Sequence, residues 1–451
     1  MATCLAAALL SAGLVSLAGP AAAATYDPSA DMDSMLNTTA YSGAQAYWQA
    51  GFTGKGVDVA LIDTGVTPVE GLAGPGKVVN GPDLSFESQS KSLQYLDTNG
   101  HGTFMAGLIA GQDSNVTDAY GKVKTSYLGM APDARIVNVK VGSADGAVDV
   151  SQVIAAIDWV VEHKNDNGMD IRVLTLAYGT NSGQDYQEDP LAFAVERAWN
   201  AGIFVVAAAG NEGYVGDGAS MANPAKDPFV LAVGASQSNG TATLKDDDVA
   251  PFSAVGSKKR HVDLVAPGTH LQGLRVPGSN IDLAHPEGRI DDRFFRGSGT
   301  SEAAAIASGA AALVIQQRPS IKPGQLKLLL MRSGVRVDRN NIWQGMGEIN
   351  LQTALTADSS ETDSFHVPST GTGSLEYARG SQHVVLDGVV LKGEQDIFGH
   401  PFDAAAMAAT KVRWTGGEWN GSTWSGNSWS GNSWSGNTWS GNTWSGNTWS
   451  G

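Results

Sequence analysis

Three side chains of this 451-residue sequence have the chemistry to break an acyl bond together. Asp63 ends the apolar run of "VALIDTGV". His101 stands between two glycines in "TNGHGTFMAGLIAG". Ser301 follows the glycine-rich turn of "GSGTSEAAA". A serine hydroxyl is a weak nucleophile at neutral pH. A histidine must take its proton, and a buried aspartate must orient that histidine and stabilise the imidazolium. A fourth segment, "VVAAAGNEG", ends a strand at Asn211. Its amide, with the Ser301 backbone N–H at a helix start, would donate to the oxyanion formed from the carbonyl. Taken singly, Asp63 reads equally well as a turn cap, His101 as a satisfied histidine and Ser301 as an N-cap. Four such residues in order, each inside its own motif, argue against that bland reading.

Something must position them. "GVDVALID" (56–63), "ARIVNVKVG" (134–142), "IRVLTLAYG", "IFVVAAAGN", "PFVLAVGAS" and "HVDLVAPG" read as strands with few polar interruptions. Between them lie helical patterns. "HGTFMAGLIAG" (101–111) is rich in small residues, and "VDVSQVIAAIDWVVEHK" (148–164) repeats apolar residues at helical spacing. "DPLAFAVERAWNAG" ends at Gly202, and "TSEAAAIASGAAALVIQQ" and "KPGQLKLLLMRS" close the series. This alternation predicts an α/β fold, a doubly wound, mostly parallel sheet between helices, over residues 37–357. The candidate residues all fall at strand or helix boundaries, where sites in open α/β sheets form.

The four motifs, in the order Asp, His, Asn, Ser, resemble the subtilisin-like serine proteases. The resemblance spans about residues 40–355 and includes "WQAGFTGKGVDVALID", "VDLVAPGT" and "GEINLQTAL". It implies a serine endopeptidase acting on proteins or peptides, with Asp63, His101 and Ser301 as the triad and Asn211 as oxyanion donor. It also implies that Ala177, Tyr178 and Gly179 pair with an extended substrate through their backbones. Ala207, Ala208, Ala209 and Gly210 would line one side of the primary specificity pocket, with Gly299 and Thr300 beside the nucleophile. The chemistry requires no cofactor. The family often binds structural calcium, which no residues here can be assigned to hold. "DDD" at 246–248 reads as a solvated turn, and the histidines other than His101 have no metal-site spacing. Two departures stand out. The family usually has Met after the nucleophile and Pro soon after, where this chain has Glu302 and Ala305. If Glu302 is buried, it must be protonated or hydrogen-bonded, and it would tune the pH dependence. The folding-assisting propeptide common in relatives has little room before the domain.

The net charge of −16 argues against nucleic acid or an anionic membrane as partner. Residues 1–24 read as a signal peptide, with an apolar run from Leu5 to Leu17 and an Ala-x-Ala cleavage site at Ala22–Ala24. Its n-region lacks Lys and Arg, as a misassigned start codon or a weak signal would explain. Cleavage would remove Cys4, the only cysteine, so the exported chain is expected to have no disulfides; it is separately expected to be a monomer. Residues 25–36 form a short N-terminal segment and 358–413 a linker or small extension. From Trp414 to Gly451 a Trp-Ser-Gly pentapeptide repeat carries eight of the twelve tryptophans. It has no aliphatic core of its own and reads as a flexible tail. A cell-wall glycan contact through stacked tryptophans is its sharper reading. The alternative from another class is a catalytically silent surface or adhesion protein working through that tail. A sedolisin-type enzyme, which replaces the His with Glu and the Asn with Asp, is disfavoured by His101 and Asn211. No G-x-S-x-G marks an α/β-hydrolase esterase.

Overall fold

Six consecutive buried residues, Asp58–Asp63, form strand β1 in the middle of a largely parallel sheet. An apolar run of this kind needs cover on both faces, which helix layers on either side supply. The computed structural model describes residues 26–410 except 89, 117–125, 215–220, 338–340, 387, 398 and 400, together with the backbone of 418–419 and 422–423. The signal segment and nearly all of the tryptophan tail therefore lie outside the described residues.

The strands β2 (Val78–Asp83), β3 (Arg135–Lys140), β4 (Ile171–Leu176), β5 (Phe204–Ala208), β6 (Leu231–Gln237), β7 (Asp248–Val249) and β8 (Leu264–Pro267) complete the sheet. The order is β2-β3-β1-β4-β5-β6-β7, with β8 also paired to β6. Only β7 is antiparallel, an edge on β6. The chain winds from β1 towards β3 and β2, then crosses to β4 and β5 on the other side. The loops leaving the carboxyl ends of β1 and β4 consequently diverge and open a crevice. A separate antiparallel ribbon, β9 (Leu271–Leu274) with β10 (Phe294–Gly297), lies beside it.

Two apolar layers cover the sheet. One holds α1 (Met35–Tyr41), α2 (Ala44–Gln49), α3 (His101–Ala110) and, beyond the short α6 (Asn280–Ala284), α7 (Thr300–Gln317) and α8 (Pro323–Ser333). The other holds α4 (Val150–His163) and α5 (Pro190–Asn200). Asp149 caps α4 in a capping box with Gln152, and Asp189 caps α5 ahead of Pro190. Every residue of α7 from Thr300 to Ile315 is buried. Its alanines allow that close approach. At Gly309 even a methyl group would strike Met130.

Residues 26–36 pack on the ribbon: Gln272 accepts from the Met35 N–H at 3.0 Å and donates through its own N–H to the Asp33 carbonyl at 3.0 Å. After α9 (Asn341–Gln344) and α10 (Leu351–Ala354), residues 366–410 cross α4 and α5. They include α11 (Leu375–Arg379) and α12 (Ala404–Thr410). Leu375, Ala378, Val384, Leu391, Ile397 and Phe402 join the same core as α4. The reading of 246–248 as a solvated turn needs correction. Asp246 and Asp248 are exposed, but Asp247 points inward beside the buried Glu348, and burial pushes its carboxyl up to about 6. Asp247 lies in the loop just before β7, and the chain there turns its side chain inward while its two neighbours face solvent.

Candidate active site

Asp63 stands at the carboxyl end of β1, beside the crevice. Its carboxylate lies 2.9 and 3.0 Å from Nδ1 of His101 and accepts the Thr64 N–H at 2.6 Å. His101 is the first residue of α3, and both side chains are essentially inaccessible to solvent. Burial pushes the Asp63 carboxyl up, opposed by the imidazole. Burial alone would lower His101, but the charge and hydrogen bond of Asp63 outweigh it and raise the imidazole above its usual 6.5.

The start of α3 is built by residues that reading the sequence missed. Asp97 accepts the Gly100 N–H at 2.7 Å and the Thr103 N–H at 2.7 Å, so it satisfies two open donors of the first turn. Gly100 adopts φ 109°, which swings the chain into the helix. Thr64 donates to Asp97 at 2.8 Å and accepts the Gly102 N–H at 2.9 Å. The buried Lys140 donates to the Thr64 carbonyl at 2.6 Å and pairs with Glu87 at 3.0 Å. Asp97 stands three residues before the N-cap Gly100, outside the position where a capping residue is read from sequence.

Ser301 is the second residue of α7, under the carboxyl ends of β4 and β5. Its hydroxyl donates to the Ala177 carbonyl at 3.2 Å. Asn211 follows β5. Its Oδ1 accepts both the N–H and the hydroxyl of Thr300, at 2.9 and 3.0 Å. That commits the oxygen edge to the helix and sets Nδ2 on the opposite edge. The Thr300 hydroxyl in turn accepts the Gly210 N–H at 3.0 Å. Thr300 is thus the joint between the Asn211 loop and the serine helix.

Ala177, Tyr178 and Gly179 continue beyond β4. A side chain on Gly179 would press on Ala222, whose N–H donates to the Ala209 carbonyl at 2.8 Å. Ala207 and Ala209 are fully buried, and Ala208 is slightly accessible. Gly299 precedes α7 in extended backbone and donates to the Gly268 carbonyl. Among the described residues no three His, Cys, Asp or Glu side chains gather as a metal site.

Glu302 is fully buried. Neither carboxyl oxygen has a hydrogen-bond partner among the described residues, and one lies against Gly297. Burial pushes it up to about 7, and its charge raises His101 in turn.

A model of the subtilase family matches residues 54–356. Serine protease AprX of Bacillus subtilis (strain 168) is 36% identical over 312 residues, 67% of this chain and 67% of that protein. Subtilisin NAT of Bacillus subtilis subsp. natto is 31% identical over 316 residues, 69% of this chain and 68% of that protein. A cold adapted subtilisin-like serine proteinase of known crystal structure aligns at TM-score 0.48 and 29% identity, over 66% of this chain and 88% of that one. The chain belongs to the subtilase family. It is a serine-type endopeptidase, and its substrates are proteins or peptides.

Proposed function

We propose that Asp63, His101 and Ser301 are the triad of an exported endopeptidase and that Asn211 completes its oxyanion hole. The observation that carries this reading is the buried Asp63–His101 pair at 2.9 Å. With Nδ1 bound to the carboxylate, His101 holds its Nε2 lone pair for the serine. When a peptide enters, the Ser301 hydroxyl gives up the Ala177 carbonyl and passes its proton to His101. Oγ attacks the peptide carbonyl, and the resulting oxyanion takes hydrogen bonds from Asn211 Nδ2 and the Ser301 N–H. His101 returns the proton to the leaving amine, and the peptide C–N bond breaks. Water then repeats the sequence on the acyl-enzyme and releases the acid.

Ala177–Gly179 would hold the substrate as an added strand. The small walls at Ala207–Gly210 favour a large apolar side chain before the cut. Export follows from the N-terminal segment. The tail's tryptophans would stack on sugar rings at the cell surface. The reading is tested by peptide hydrolysis with Ser301→Ala. Activity should fall to background with the fold intact by circular dichroism. Undiminished hydrolysis would overturn it.

A further inference from the structure

The family match ends at residue 356, yet the chain beyond it returns to the cleft. The Ala378 carbonyl, in α11, accepts the Thr180 hydroxyl at 2.7 Å, and Ser381 and Asn181 exchange hydrogen bonds at 2.7 and 2.8 Å. Thr180 directly follows Gly179. Its own N–H and C=O are both bonded to Asn223, each at 2.9 Å. Asn223 in turn follows Ala222, which is bonded to Ala209. The hydroxyl of Thr180 therefore connects the extension to a bridge between the two walls of the cleft.

Arg379 locks this contact. Its guanidinium is almost wholly buried and bonds Asp149 at 2.6 Å, the Gly393 carbonyl at 2.6 Å, the Gln395 carbonyl and Glu376. Asp149 caps α4, whereas Gly393 and Gln395 belong to the extension, so one cation staples the two together. A buried arginine is tolerated only when its charge is paired and its donors satisfied, and both conditions hold here. Tyr178, one residue before Gly179, shares its core with Leu375 and Ala378.

We propose that residues 366–397 are a positioning element of the peptide-binding cleft. Through the Ala378–Thr180 hydrogen bond, locked by Arg379–Asp149, they set the backbone edge Ala177–Gly179 that an extended substrate pairs with. The inference rests on the peptidase reading of the same cleft. It gives the extension a role in substrate binding, with Thr180 and Arg379 as positioning residues.

The test uses the full chain with Thr180→Val, a change of similar volume that deletes only the hydroxyl. KM and kcat are measured on a peptide anilide extending several residues before the cut, and on a short acyl ester lacking them. The expected result is KM for the long substrate raised about fivefold, with kcat and the ester changed less than about twofold. Thr180→Ser should restore KM. Arg379→Met should show the same split more strongly; if it does not fold, Thr180→Val decides alone. Equal losses on both substrates, or an unchanged KM, would overturn the proposal. Titrating Ser301 with a peptidyl phosphonate separates the two failures. A chain that does not label contradicts the peptidase reading, and a labelled Thr180→Val with unchanged KM contradicts only this inference.

Discussion

Thr300 holds the oxygen of Asn211 with two hydrogens, its backbone N–H at 2.9 Å and its hydroxyl at 3.0 Å. The amide of Asn211 is thereby oriented by the residue next to the nucleophile, before any substrate arrives. Donors fixed in advance need no reorganisation as charge develops on the carbonyl oxygen. Asn211→Ala should therefore lower kcat by about 100-fold or more while KM stays within about twofold. Thr300→Val keeps the N–H contact and loses the hydroxyl, and should cost about tenfold in kcat. Steady-state kinetics on a peptide substrate measure both. A loss confined to KM would contradict the assignment.

Glu302 should move the acid limb of the activity profile. Hydrolysis needs neutral His101, so activity falls as pH drops through the imidazole's raised value. The Glu302 charge helps to raise that value. Glu302→Met removes the charge, so the limb should shift towards acid. The pH profile of kcat/KM reads this directly, and an unmoved limb would sink the coupling.

The same residue sets a stability trend with the opposite sign to a salt-bridged carboxylate. Glu302 is pushed up from 4.5 to about 7 in the folded chain. Between those values the folded state holds a proton that the unfolded state has lost. Stability therefore falls as pH rises from 4.5 to about 7, by roughly 3 kcal/mol for this group. Glu302→Met should flatten that part of the curve and stabilise the protein more at pH values above about 7 than at acid pH. Urea unfolding across the range checks it, and parallel curves for the two proteins would refute it.

Gly102 is where α3 meets the Asp63 loop. A Cβ there would collide with the Gly65 carbonyl oxygen and sit 3.0 Å from Asp63 Oδ1. Gly102→Ala must push the helix start away from β1. We expect a loss of about 1–3 kcal/mol in stability. We also expect a fall of about 100-fold in kcat/KM, since small misplacements of catalytic groups cost that much. Wild-type kinetics in this variant would show that the Asp63–His101 spacing is not what limits the rate.

Much of the fold and the site is legible in the sequence, for a definite reason. The strands around β1 are apolar runs that only a parallel sheet can bury, and α4 repeats apolar residues at helical spacing. Their limits fall within two residues of the expected ones: 58–63 against 56–63, and 150–163 against 148–164. The candidate residues were visible because each lies in a motif at an element's end. What escaped depends on which way a side chain points or on distant partners. Asp97 lies three residues ahead of the N-cap Gly100, where no capping pattern points, and its bonds to Gly100 and Thr103 exist only in the folded loop. Asp247 lies in the loop just before β7, and the direction a loop side chain takes has no periodic signal in the sequence. Arg379 meets Asp149 across 230 positions, and no local pattern encodes that pairing. Glu302 is legible as a departure, but that its carboxyl finds no hydrogen-bond partner among the described residues belongs to the packed structure.

The central claim is that Ser301 is the nucleophile. Treating the purified protein with a peptidyl diphenyl phosphonate and mapping the adduct by peptide mass spectrometry tests it most directly. One phosphonate per chain is expected, on the peptide containing Ser301, absent from Ser301→Ala and greatly slowed in His101→Ala. An adduct on another residue, or none on a folded wild-type protein, would contradict it.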